Sequence, residues 1–211
     1  MPTLNLAILG STNGTDAAHI LSTIKDGILE DVSVKCIISN RSKAKILEKG
    51  KDYNVDTLYL AATHKDGTSM TREEYDQKLH EILSVNYKID YIILIGWMRI
   101  LSCNFVSLWK NRILNIHPSL LPAYAGAMNM NVHRSVIERG CKITGATLIF
   151  IDDGPDTGPI IDQMALRIEN TDTAESLKDK VQDLEKKLFT KNLPLIRDGK
   201  LKVVKNIVIC E

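Results

Sequence analysis

At 211 residues the chain exceeds the usual size of a compact domain, roughly 100–150 residues, yet it is short for two full domains and a linker. Hydrophobic residues at 44% and charged residues at 25% lie at the globular average, which excludes a disordered tail, a collagen-like repeat and a disulfide scaffold. Lys and Arg total 27 against 26 Asp and Glu, so a net charge of +1 gives no field suited to nucleic acid or a membrane surface, and a small-molecule partner is expected. The cysteines Cys36, Cys103, Cys141 and Cys210 form no C-x-x-C pair and have no His at ligand spacing, which points away from zinc and from disulfides. The first apolar run stops at Gly10, too short for a signal peptide or a membrane span, so a cytoplasmic protein is expected.

Leu4 to Leu9 reads as a strand, Gly10 to Asp16 as a turn, and Ala17, Ala18, Ile20, Leu21 and Ile24 as one face of a helix. Val32 to Ile38 follows as a second strand, Lys43 to Lys51 as a helix and Thr57 to Leu60 as a short strand. Thr71 with Glu74 forms a capping box ahead of a helical stripe of Tyr75, Leu79, Ile82 and Leu83. Asp90 to Ile95 carries apolar residues on both faces, the pattern of a central parallel strand, and Gly96 closes it. Arg112 to Ile116 is a further strand ended by Pro118. Ala146 to Ile151 and Ile160 to Leu166 suggest a hairpin, Asp172 with Glu175 opens a long helix bearing Leu177, Val181, Leu184 and Leu188, and Lys200 to Ile209 reads as a terminal strand. The alternation argues for an α/β fold with a mostly parallel sheet flanked by helices.

Four segments carry residues suited to chemistry. Gly10 to Asp16 places glycines and backbone N–H groups at a helix N-terminus, a site whose natural ligand is a phosphate, although an unliganded tight turn reads equally. It is not G-x-G-x-x-G, and the second strand ends Ile38-Ser39-Asn40-Arg41 without an acidic residue for a ribose diol, which weakens a dinucleotide reading. In Asn115-Ile116-His117-Pro118, alternate strand positions share a side, so Asn115 and His117 project together at a strand end, where α/β sheets hold their reactive crevice. A structural Asn beside a satisfied His is the bland alternative. Asp156, within the turn-rich Asp152 to Pro159, supplies a carboxylate that would favour the imidazolium and orient it, making His117 an acid. Gly96 to Leu101, directly after the buried strand, could wall a pocket for a flat ring, with core packing as the alternative for Met98 and Ile100. Asp152, Asp153 and Asp156 miss the spacing of a calcium loop, and no metal is expected. His19, His64, His80 and His133 have no such company and read as surface or structural.

Together these segments resemble the phosphoribosylglycinamide formyltransferases, folate-dependent enzymes of purine synthesis, from about Leu4 to about Leu201. Asn115 to Pro122 is similar to the family signature, Gly96 to Leu101 to its folate loop, Asp156-Thr157-Gly158-Pro159-Ile160 to its Asp-x-Gly-Pro segment, and Asn13-Gly14-Thr15-Asp16 to its phosphate turn. The resemblance implies a Rossmann-like formyltransferase fold, with residues 1–112 as a phosphate-binding part and 113–211 as a catalytic and folate part of one domain. It implies 10-formyltetrahydrofolate as co-substrate and glycinamide ribonucleotide as acceptor. It assigns Asn115 as oxyanion donor, His117 as general acid and Asp156 as its tuning partner. Gly14, Thr15, Asp16 and Glu185 would hold the ribonucleotide, and Arg72, Met98, Arg99, Ile100, Leu101 and Asn115 the formyl folate.

Three departures stand out. Ile149 occupies a place commonly taken by His, Asp16 replaces a more usual Asn, and the active-site loop Ala127 to Val132 is about three residues longer than in the best-known members. Asp16 would repel a phosphate unless its side chain turns away to cap the helix. Two alternatives stay open: a folate-dependent N-formyltransferase acting on a nucleotide-linked amino sugar, and a nucleotide-binding relative without catalysis. The length leaves no room for the extra domain of tRNA-formylating relatives, and self-association into a homodimer is left open.

Overall fold

The structure, a computed structural model, describes residues 3–127 and 129–211. It divides into two compact units, Met1–Leu114 and Asn115–Glu211, two residues past the boundary expected from the sequence.

The first unit alternates β1 (Leu4–Gly10), α1 (Thr15–Lys25), β2 (Val32–Ser39), α2 (Lys45–Asp52), β3 (Asp56–Tyr59), α3 (Arg72–Glu81), β4 (Tyr91–Ile95) and α4 (Cys103–Leu108). A further strand, β5 (Ile113–His117), begins in this unit and ends in the second. The strand order is β3-β2-β1-β4-β5, and β1 pairs in parallel with both β2 and β4. Leu6, Ile8, Ile92 and Ile93 are wholly shielded from solvent, as a central parallel strand apolar on both faces requires. The capping box forms: the Glu74 N–H donates to the Thr71 hydroxyl, and the Thr71 N–H to the Glu74 carboxylate. Below it Tyr75, Leu79 and Leu83 are buried.

In the second unit come α5 (Asn129–Glu138), β6 (Ile143–Phe150), β7 (Ile160–Arg167), α6 (Ala174–Arg197), β8 (Leu201–Val204) and β9 (Ile207–Cys210). Its main strands run β5-β6-β7, with β6 and β7 the antiparallel hairpin expected. α6 packs on β6, β7 and α5. Among the described residues no helix is long and apolar enough to cross a membrane.

Four local expectations are corrected. α2 starts two residues later than read, because Ala44 is extended and serves as its N-cap. α6 is capped by Thr173 and Ser176, not by Asp172 and Glu175; Asp172 instead accepts from the Glu169 N–H, the Ser176 hydroxyl and the Lys180 ammonium. The helix also continues through Pro194, whose cost of about 3 kcal/mol in a helix interior is offset by burial of Leu188, Phe189, Leu193 and Ile196. The terminal strand is a hairpin, β8 pairing with β9 across a turn whose Lys205 and Asn206 both adopt left-handed backbone. From Asn129 onward the segment read as an active-site loop is the start of α5, while Met128 lies outside the described residues.

Thr71→Ala removes one arm of the α3 capping box and is expected to lower stability by about 1 kcal/mol, read as a shift of the urea midpoint at constant slope.

Candidate active site

β5 delivers Asn115 and His117 from alternate positions of one strand, and Pro118 ends the pairing immediately after them. Asp156 comes from the β6–β7 connection. That connection is drawn tight: the Phe150 N–H donates to the Pro159 carbonyl, and Asp152 accepts from the Gly154 N–H and the Thr157 hydroxyl. Gly158 is required there, because a Cβ would collide with the Phe150 carbonyl oxygen. Asp156 itself sits at φ 55°, a left-handed conformation that Asp tolerates better than most residues and that aims its carboxylate.

Three donors converge on that carboxylate. His117 Nδ1 lies 3.1 Å from Oδ2, the Gly126 N–H donates to the same oxygen at 2.9 Å, and the Asn115 amide donates to Oδ1 at 3.4 Å. The other ring nitrogen of His117, Nε2, is 3.1 Å from the Tyr124 carbonyl oxygen. Both ring nitrogens therefore face acceptors, and both bonds are made together only when both carry hydrogen, as in the imidazolium. His117 is 3% exposed, so these two partners set its environment.

Burial alone would push the Asp156 carboxyl up, but its bonds from His117, Gly126 and Asn115 outweigh that and hold it below the ordinary carboxylate value. A carboxyl lowered on folding adds stability above its unfolded pKa, about 4, and that stability is lost as pH falls through the folded value. In acid denaturation the wild-type protein is therefore expected to lose stability below about pH 4 more steeply than Asp156→Asn, which keeps the shape without the titrating group.

The first unit holds two other segments singled out in the sequence. Gly14 is the N-cap of α1 in left-handed conformation, φ 73° and ψ 38°, and a Cβ there would meet Ile46 at 2.5 Å. Asn13 and Thr15 are exposed beside it, so the first-turn N–H groups are approachable. Asp16 is only 6% exposed and lies in the first turn of α1, but it does not cap the helix: the N-cap is Gly14, with no side-chain capping bond. In the segment after β4, Met98 and Ile100 are exposed at 46% and 73%, large apolar side chains directed to solvent, while the Arg99 guanidinium lies 4.1 Å above the Tyr75 ring. Arg72 is the exposed first residue of α3, Leu101 is half-buried, and Glu185 is buried in α6 of the second unit.

The structure thus brings Asn115, His117 and Asp156 together within the second unit. The Tyr124 carbonyl and the Gly126 N–H are functional groups that residue-type reasoning missed, since both belong to the backbone; the glycine in an irregular stretch was the available signal. Ile149, the first of the three departures, is fully buried. Two other reactive side chains are held in their neutral forms. Burial and then Asp56 push the Cys36 thiol up to about 12, and burial and then Lys178 bring His133 down to about 4. Among the described residues no group of three or more His, Cys, Asp or Glu could hold a metal ion.

Residues 4–193 match the formyl transferase family. The chain is 34% identical to phosphoribosylglycinamide formyltransferase of Escherichia coli over 204 residues, covering 96% of this chain and 92% of that one. It is 33% identical to trifunctional purine biosynthetic protein adenosine-3 of Gallus gallus over 98% of its own length, but spans only 20% of that protein. Among solved structures, glycinamide ribonucleotide transformylase 1 from Symbiobacterium toebii superposes with a TM-score of 0.89 at 32% identity, covering 99% of this chain and 94% of that one.

Proposed function

Since the chain belongs to the formyl transferase family, we propose that it moves the formyl group of 10-formyltetrahydrofolate to the primary amine of glycinamide ribonucleotide, a step of purine synthesis. The observation that carries this reading is the meeting of Asn115, His117 and the half-buried Asp156 carboxylate in one hydrogen-bonded set. Similarity along nearly the whole chain to an enzyme of that name supports the choice of acceptor.

Acyl transfer to an amine places negative charge on the formyl oxygen as nitrogen attacks carbon. The Asn115 amide has a second N–H beyond the one turned to Asp156, and it donates to that oxygen. His117 provides the second donor when its Nε2 proton passes from the Tyr124 carbonyl to the substrate. Asp156 keeps the ring oriented and balances its charge, and His117 is the proton carrier between the attacking amine and the departing folate nitrogen. Neither a covalent enzyme intermediate nor a metal is required for this route.

Gly14, Thr15 and Asp16 at the α1 N-terminus receive the ribonucleotide phosphate, with Glu185 as a further ribonucleotide contact. Arg72 and Met98 to Leu101 receive the formyl folate; the exposed Met98 and Ile100 fit the flat, largely apolar body of such a ring system.

His117→Ala and Asp156→Asn are each expected to lower turnover by about a hundredfold or more, and Asn115→Ala by about a hundredfold, in an absorbance assay with glycinamide ribonucleotide and a 10-formyl folate. Near-normal rates in these variants would refute the assigned roles. A faster reaction with a nucleotide-linked amino sugar would reassign the acceptor, and phosphate-ligand binding without turnover would mark a non-catalytic relative. At the phosphate turn, Gly14→Ala is expected to raise the KM for the ribonucleotide while leaving the KM for the folate unchanged.

A further inference from the structure

The segment between β4 and α4 is fastened at three points, all inside the first unit. At its start the Met98 N–H donates to the Ser11 hydroxyl at 3.1 Å, and the Ser11 N–H donates to the Gly96 carbonyl at 3.2 Å. In its middle Arg99 stacks over Tyr75, whose hydroxyl is fixed by the Leu60 carbonyl at 3.2 Å. At its end the Ser102 N–H donates to Asp76 Oδ2 at 2.6 Å, a short bond, and the Ser102 hydroxyl then caps α4 by accepting from Phe105. Between these fastenings Met98 and Ile100 are held outward.

Asp76 is an unusual residue for that duty. It is 2% exposed, and carboxylates are almost never so buried unless paired. Its Oδ2 is engaged by Ser102, while its Oδ1 is buried without a hydrogen-bond partner among the described residues. Leaving such an oxygen unsatisfied is costly, so an apolar side chain of the same shape would serve packing better. Beside its electrostatic interaction with Arg99 and Arg72, what an acceptor at this position supplies is the fixed end of the 97–102 segment.

We propose that Asp76 is a positioning residue for the formyl donor: by accepting the Ser102 N–H it holds Met98 to Leu101 in the conformation that binds the folate. This rests on the reading of Met98 to Leu101 as the donor-binding segment. Asp76 touches no substrate and acts through the backbone that follows Leu101.

The test is steady-state kinetics of the whole chain with each substrate varied in turn. Asp76→Leu keeps the shape and removes the acceptor. It is expected to raise the KM for the formyl folate about tenfold, the worth of one hydrogen bond, while turnover at saturating folate and the KM for the ribonucleotide stay unchanged. Asp76→Asn retains an acceptor oxygen and is expected to restore most of the folate affinity, a rescue that a purely packing role would not give. If Asp76→Leu does not fold, Ser102→Pro removes the same N–H at a backbone angle proline accepts, φ −73°. It is expected to raise the folate KM well beyond Ser102→Ala, which loses only the α4 cap. An unchanged folate KM in Asp76→Leu or Ser102→Pro overturns the proposal, as does an Asn variant no better than Leu. Ile100→Asp separates the two levels: if it too leaves the folate KM unchanged, the reading of the segment fails, whereas a raised KM there with none in Asp76→Leu removes the role of Asp76 alone.

Discussion

The site in the second unit depends on one carboxylate. Asp156 accepts from a ring nitrogen, a side-chain amide and a backbone N–H, and so ties together β5, the turn at Gly126 and the β6–β7 connection. Its own bonds outweigh the cost of its burial, which keeps it ionised and makes it an acceptor at all times near neutrality. Everything proposed for His117 follows from that acceptor. A ring held between a carboxylate and a carbonyl can rotate little and has an acceptor facing each nitrogen. The cost of this arrangement is visible in the backbone, where Tyr124 and Asp156 both adopt left-handed angles.

The first unit uses a different device. Both of its candidate binding segments follow parallel strands and rest on small residues: Gly14 at the start of α1, where no larger residue fits against Ile46, and Ser11, which joins the turn after β1 to the segment after β4. Strand ends of this kind fix backbone N–H groups in place without side-chain entropy, which suits recognition of a phosphate or a ring edge. The second unit thus gathers polar side chains around one carboxylate, whereas the first fixes its candidate segments largely through backbone.

Much of this was legible in the sequence, and the exceptions have physical causes. Asn115 and His117 could be read because a strand has a strict period of two, and β4 because a run apolar on both faces has few other uses. Capping was readable where one pattern fitted, at Thr71 and Glu74, and misread where two overlapped: Asp172 with Glu175 and Thr173 with Ser176 differ by one residue, and the threonine pair forms the cap. The β8–β9 turn was hidden because Lys205-Asn206 lacks the glycine that usually marks such a turn. The contributions of Tyr124 and Gly126 were marked only by a glycine in an irregular stretch, since they come from main-chain atoms whose positions depend on the tertiary fold. Nothing in the sequence sets Asp76 apart from the other polar positions of α3; its burial does.

The central claim, that Asp156 acts through His117, is tested most directly by a double-mutant cycle on turnover with 10-formyl folate and glycinamide ribonucleotide. If the two residues work as one unit, the His117→Ala, Asp156→Asn double variant is no slower than the slower single variant, because once the imidazole is gone its partner has nothing left to orient. If the two losses multiply instead, the carboxylate and the imidazole act independently and the account is contradicted.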